Sequence, residues 1–343
     1  MSSALSVHST LLAFALSVAA VGPSLAAQAP APPAPPTVNV AQLQQAAARG
    51  DAKAEFDLAV YFGRDDVADR SDAASVDWLK KSAAHGFVDA QHTLGLLYLL
   101  GGRGVTTDPP QAAEWFRKAG DQGLPVAQYA LAQLYAGGLG VAADPAQAVT
   151  WWRKASDQAY PLAQAMLAKA YFEGRGVEQS YATAIDLWTK AAEQGQASAM
   201  LNLGTVYLNG NGVEVDLPTA VSWWRRGADA GNIAAINNYA EALADGVGIA
   251  ADPAQAVTWW RKAAEQGDAR AQHSLALAYF NAEGVGRDLV EAYKWLYVAV
   301  LRTAGEERTF YVHVRDSVGT NMTGEQLAAA QQQAKAWAEA FAR

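Results

Sequence analysis

The stretch from Asp252 to Gly267, DPAQAVTWWRKAAEQG, returns almost letter for letter at Asp144 to Ala159, and weaker copies begin at Asp108, Ser180, Asp216 and Asp288. The first Trp of each copy, or its substitute, falls at Trp115, Trp151, Leu187, Trp223, Trp259 and Trp295, a strict period of 36 residues. One copy cannot bury its apolar face alone, so such copies must stack, each against its neighbours. The period therefore argues for an elongated array where length alone would allow two globular domains.

Within the template, Asp252 is placed to cap a helix. Pro253 suits the first helical position, where its fixed φ is helical and its missing N–H is not needed. Ala256, Trp259, Trp260 and Ala263 follow at three- and four-residue steps as one apolar stripe, with Arg261, Lys262, Glu265 and Gln266 off it. Gly267 supplies the left-handed residue that ends the helix. An oxygen-bearing cap recurs seven positions before each first Trp, as Ser71, Asp108, Asp144, Ser180, Asp216, Asp252 and Asp288. The closing glycine recurs as Gly86, Gly123, Gly195, Gly231 and Gly267, with Ala159 the internal exception.

A second pattern lies between these helices: Ala90, Leu94 and Tyr98, or Ala199, Leu203 and Tyr207, at steps of four on one helical face. The small residue beside the Leu, Gly95 or Gly204, admits a close neighbour. A glycine turn such as GRGV at Gly174–Val177 then leads to the next capped helix through positive φ. Each copy is a helix hairpin, and the fold class is all-α.

In these features the chain resembles the Sel1-like repeat proteins, relatives of the tetratricopeptide class. The family pattern A-x3-LG-x2-Y-x2-G-x-GV-x2-D-x3-A-x2-W-x2-KAA-x2-G runs from Ala199 to Gly231, with Arg226 and Gly227 its main departures. The resemblance implies a right-handed α-solenoid of helix-turn-helix repeats. It also implies a scaffold role for other macromolecules, in an envelope assembly or a polysaccharide-export system as in some relatives, with the first helix of each unit lining a concave surface. Seven repeats are expected over residues 51–303, a capping helix over 39–50 and capping helices over 304–343. Within the last segment, Thr323 and Gln326 form a capping box, and Tyr311 to Val314 alternates like a strand although the resemblance favours a helix.

Residues 1–27 carry an apolar run, Leu11 to Val21, followed by small residues, and read as a secretory signal peptide cleaved near Ala26 or Ala27. QAPAPPAPP opens a disordered Pro/Ala-rich linker over 28–38. The mature chain is expected to be periplasmic or secreted, monomeric and not membrane-embedded. There is no cysteine, hence neither a disulfide framework nor a lipid-attachment thiol. A net charge of −8 argues against nucleic acid as the main partner.

Little in the chain points to chemistry. The turn glycines follow helices, unlike a phosphate-binding loop. His92 and His273 share a position within the unit but stand five repeats apart, and no histidine has metal-ligand spacing. No cofactor, metal or catalytic group is expected. The Trp pairs fall near the Ala stripe and read as core rather than as sugar platforms. With the core face set by Ala, Leu and Tyr, the opposite face lies two and six residues after the Ala. It comprises His92, Leu96, Tyr129, Gln133, Lys169, Leu201, Thr205, Asn237, Glu241, His273 and Leu277, which vary between otherwise similar units. The expectation is a non-enzymatic scaffold that binds protein partners through this face. A module binding cell-wall glycan or peptide is the runner-up, and a β-lactam- or peptidoglycan-directed hydrolase comes third.

Overall fold

The computed structural model describes residues 39–341; the signal peptide and linker read over 1–38 lie outside the described residues. Seventeen α-helices and no named strand occur among them. They group into two compact units divided between Ser180 and Tyr181. The first unit holds α1 (Val40–Ala47), α2 (Ala52–Phe62), α3 (Asp72–Ala84), α4 (Val88–Leu100), α5 (Pro109–Asp121), α6 (Pro125–Gly137), α7 (Pro145–Ser156) and α8 (Pro161–Glu173). The second holds α9 (Tyr181–Glu193), α10 (Ala197–Asn209), α11 (Leu217–Asp229), α12 (Ile233–Asp245), α13 (Pro253–Glu265), α14 (Ala269–Asn281), α15 (Leu289–Arg302), α16 (Gly305–Gly319) and α17 (Gly324–Phe341). Within each unit successive helices pack in chain order.

The helix boundaries follow from side-chain chemistry. Ser71, Asp108, Asp144, Asp216, Asp252 and Asp288 each accept a hydrogen bond from a first-turn N–H of the helix they precede. Asp51, Asn232 and Asp268 do the same for α2, α12 and α14, caps that the sequence pattern did not single out. Ala159, where other units place glycine, is held at φ 59.

Each hairpin closes on its neighbours at close range. In the second unit the indole of Trp224 is pressed on α10 at Gly204, where a Cβ would collide with its Nε1 and Cδ1. Leu203, Trp224, Tyr239, Trp260 and Leu275 are buried along this unit, and all but Leu203 belong to one continuous core cluster. In the first unit Gly140, at φ 72, lies on the start of α5, with no room for a Cβ against the Pro109 carbonyl. The turn glycines therefore set how closely one hairpin approaches the last.

A buried glutamine ladder adds polar specificity to this packing. Gln91 Nε2 donates to the Ala83 carbonyl (3.1 Å), Gln128 Nε2 to Gly120 (2.9 Å) and Gln272 Nε2 to Ala264 (3.0 Å), tying each first helix to the preceding second helix. Gln122 Nε2 donates to Gln91 Oε1 (2.8 Å) and Gln158 Nε2 to Gln128 Oε1 (2.9 Å), so one glutamine links three helices. In the first repeat Glu55, only 2 % exposed, holds the same place, with His85 Nδ1 2.7 Å from its Oε2. On the outer side, Arg117, Arg153 and Arg261 donate to the hydroxyls of Tyr135, Tyr171 and Tyr279 at 2.7–2.9 Å.

At the C-terminal end, Leu296, Val298, Ala299 and Val300 make α15 more apolar than the other second helices, and α16 and α17 cover it. Residues 311–314 are helical, because a strand there would have no partner for its backbone groups. The capping box forms in both directions, with Thr323 N to Gln326 Oε1 at 2.9 Å and Gln326 N to Thr323 Oγ1 at 3.2 Å. Arg302 lies over Phe341 at 3.9 Å and Trp337 at 5.5 Å, pinning α17.

Candidate interaction grooves

The eleven residues predicted to form one face separate by offset. Those two positions after the Ala pack against neighbouring helices, Tyr129 and Asn237 against the residues that begin the next first helix. Tyr129 is 2 % exposed and packs on Tyr160, ring centroids 5.6 Å apart. Asn237 is 3 % exposed and donates through Nδ2 to Asp268 Oδ1 at 2.9 Å. His92 lies 5.8 Å from the ring of Phe116, and His273 lies 5.1 Å from Tyr311 and 5.4 Å from Phe310 of α16. Leu201 is half-buried against the core of the second unit. These side chains vary between repeats because each must fit one particular neighbour, so variation alone did not mark them as exposed.

Residues six after the Ala behave differently. Leu96 lines a groove of about 420 Å³ between α2 and α4, floored by Val76 and Leu79 of α3. Gln133 and Lys169 line a smaller one, about 100 Å³, between α6 and α8 over Trp152. Thr205 and Glu241 line a third, about 330 Å³, between α10 and α12 over Trp224. Leu277 is half-buried on α14. The sequence reading omitted Phe56 and Val60, which hold the corresponding positions on α2 and border the first groove; the list had begun one repeat too late.

Electrostatics at these positions follow burial. His92 and His273 each have a buried Nε2 with no hydrogen-bond partner, and desolvation holds both below the usual histidine value. Desolvation likewise pushes the Tyr160 hydroxyl up to about 12. No group of His, Asp or Glu among the described residues is arranged to hold a metal ion.

The second Trp of each pair is core, with Trp152, Trp224 and Trp260 at most 8 % exposed. The Trp before it, half-buried at Trp223 and buried at Trp151, carries a cation, as does Trp115, which precedes Phe116: Lys118 lies 3.9 Å over Trp115, Lys154 3.7 Å over Trp151 and Arg226 4.2 Å over Trp223. These cations are exposed and also lie over the rings, which leaves no bare stacking platform there for a sugar.

Seven consecutive matches to the Sel1 repeat cover residues 52–87, 88–124, 125–160, 161–196, 197–232, 233–268 and 269–301, each spanning two successive helices. A Sel1 repeat protein from Oxalobacter formigenes is similar at 30 % identity and a TM-score of 0.63, over 77 % of this chain and 100 % of that one. A protective antigen of uropathogenic Escherichia coli displaying an SLR fold is similar at 25 % identity and a TM-score of 0.51, over 90 % and 97 %. No curated protein sequence matches the chain. Sel1 repeats typically mediate protein interactions and are generally non-catalytic, and no helix among the described residues is long and apolar enough to cross a membrane. The chain belongs to the Sel1 repeat family, and its fold is an all-α solenoid of such repeats.

Proposed function

We propose that the chain is an exported, non-enzymatic adaptor that holds a protein partner along the grooves between its first helices. The observation that carries this is the contrast within one repeat. The framework positions, Ala, Leu, the second Trp and the ladder Gln, recur, whereas the groove positions Leu96, Gln133, Lys169, Thr205 and Glu241 differ in size and charge and reach the surface. A fixed frame with variable groove walls is how a repeat array acquires specificity without changing fold. Export rests on the apolar run of residues 11–21 and the small residues after it. The glycan reading is weakened by the cations over the outer indoles.

Photo-crosslinkers placed at Leu96, Gln133 and Glu241 in the full chain, in its native envelope, test the proposal. Capture of the same protein from these positions, and not from Lys80 on the outer side of α3, is expected. Capture from Lys80 alone, or of glycan fragments only, would refute it.

A further inference from the structure

The groove between α2 and α4 differs from the others in charge and in how it ends. Val60, Leu96, Leu97 and Leu100 form its walls, and its lining includes Arg64 and Arg103 but no Asp or Glu, in a chain of net charge −8. The grooves over Trp152 and Trp224 carry both signs.

Arg103 owes its place to the only insertion among the repeats. The extra residue in GGRGV lets Gly102 and Val105 exchange backbone hydrogen bonds at 3.0 and 2.8 Å, which holds Arg103 at the tip of the turn with φ 51. Where Gly140 is pressed on Pro109, the corresponding Gly104 has open space around it, so this turn meets the preceding hairpin through the Arg103 side chain and not through its glycine. The Arg103 side chain reaches back across the groove end, Nη1 donating to Ser75 Oγ (2.8 Å) and Nη2 to the Gly63 carbonyl (3.3 Å). Both acceptors are neutral. Arg64, by contrast, donates to both carboxylate oxygens of Asp66 at 2.8 and 2.5 Å. Arg103 is therefore a fixed guanidinium without a carboxylate partner at the end of an apolar groove, on a backbone conformation that a non-glycine residue adopts at a cost. An incoming carboxylate would meet donors already oriented, beside low-dielectric walls that strengthen the bond.

We infer that this groove binds a peptide segment that sets bulky apolar side chains between α2 and α4 and the carboxylate of an adjoining Asp or Glu on Arg103. This rests on the protein-partner function above and specifies the chemistry of the bound segment. The probe is a fluorescein-labelled peptide amide of sequence LLFE, compared with LLFQ, titrated against the chain and read by polarisation. Saturable binding is expected, roughly tenfold tighter for LLFE than for LLFQ, the usual scale of a charge-assisted hydrogen bond. Arg103→Gly, which suits the positive φ, should remove that difference, bringing LLFE affinity down to that of LLFQ. Leu100→Glu, at a site 45 % exposed, should weaken both peptides without loss of helicity.

No saturation below ~1 mM, or a preference for LLFE that persists in Arg103→Gly, overturns the inference. So does saturation by dodecanoate with Arg103 dependence while neither peptide saturates, which would assign a fatty carboxylate. None of these results bears on crosslinking from Gln133 and Glu241, so the adaptor function and this site fail separately.

Discussion

Replacing Gly140 with alanine isolates what sets the spacing between hairpins. A left-handed alanine costs about 1–2 kcal/mol, and the stiffer unfolded chain returns about 0.4–1 kcal/mol. Those two effects apply equally at Gly123, which has φ 94 and nothing within 4 Å of a built Cβ. At Gly140, φ 72, the Cβ would also collide with the Pro109 carbonyl and come 2.6 Å from Pro110 N, and neither can rotate away because both are backbone. Forcing a methyl into a filled site costs about 1–3 kcal/mol. The expected losses are then about 1 kcal/mol for Gly123→Ala and about 2–4 kcal/mol for Gly140→Ala. Urea denaturation followed by far-ultraviolet dichroism measures both, with the denaturant slope checked for a change in cooperativity. Equal losses would mean that the second turn glycine is needed only for its φ, and the close approach of hairpins would lose its steric explanation.

Gln128→Ala removes one donor and one acceptor of the ladder, leaving the Gly120 carbonyl with the Gly123 N–H alone (3.0 Å) and Gln158 without its glutamine acceptor. A loss of about 2 kcal/mol in urea denaturation is expected. Tyr129→Ser should cost about 3 kcal/mol because the ring is core, and a midpoint shift under 0.5 kcal/mol would return it to the surface. Ala159→Gly relieves φ 59 and should raise stability by about 0.5–1 kcal/mol in the same assay. Burial depresses the His273 pKa below 6.5, so the unfolded chain binds that proton more readily. The stability His273 contributes is complete above pH 6.5 and is lost as pH falls through its folded value. His273→Gln should therefore flatten the decline in melting temperature below pH 6.5, with His92 supplying the remaining dependence of the same sign.

Periodicity made the hairpins legible before any coordinates, because caps, stripes and turn glycines are local and each repeat restates them. Asp108, Asp144 and Asp252 behave alike, since a cap needs only its own first turn. The glutamine ladder was missed for the opposite reason. Gln91 and Gln128 look like ordinary polar residues until a neighbouring helix end delivers its carbonyl and the following glutamine arrives at 2.8–2.9 Å. Glu55 paired with His85, and the apolar Met200 and Ile236, show that this buried position tolerates changes of chemistry, which hides it from pattern matching.

The same distinction explains the mixed fate of the predicted face. Six residues after the Ala, a side chain stands at a gap between first helices, and its surroundings follow from the repeat itself. Two residues after, the gap is closed by whatever begins the next unit: Tyr160 beside Tyr129, Asp268 beside Asn237, and α16 beside His273. A position contacting the next unit cannot be judged from its own repeat, because residue and neighbour change together. The converse holds at Arg103, where an insertion breaks the register of one turn, replaces the close backbone approach seen at Gly140 and carries a side chain back to Ser75 and Gly63 of the hairpin before it. In a chain built by repetition, the departures from the repeat are where a specific partner can be recognised, since the framework positions are occupied with holding neighbours together.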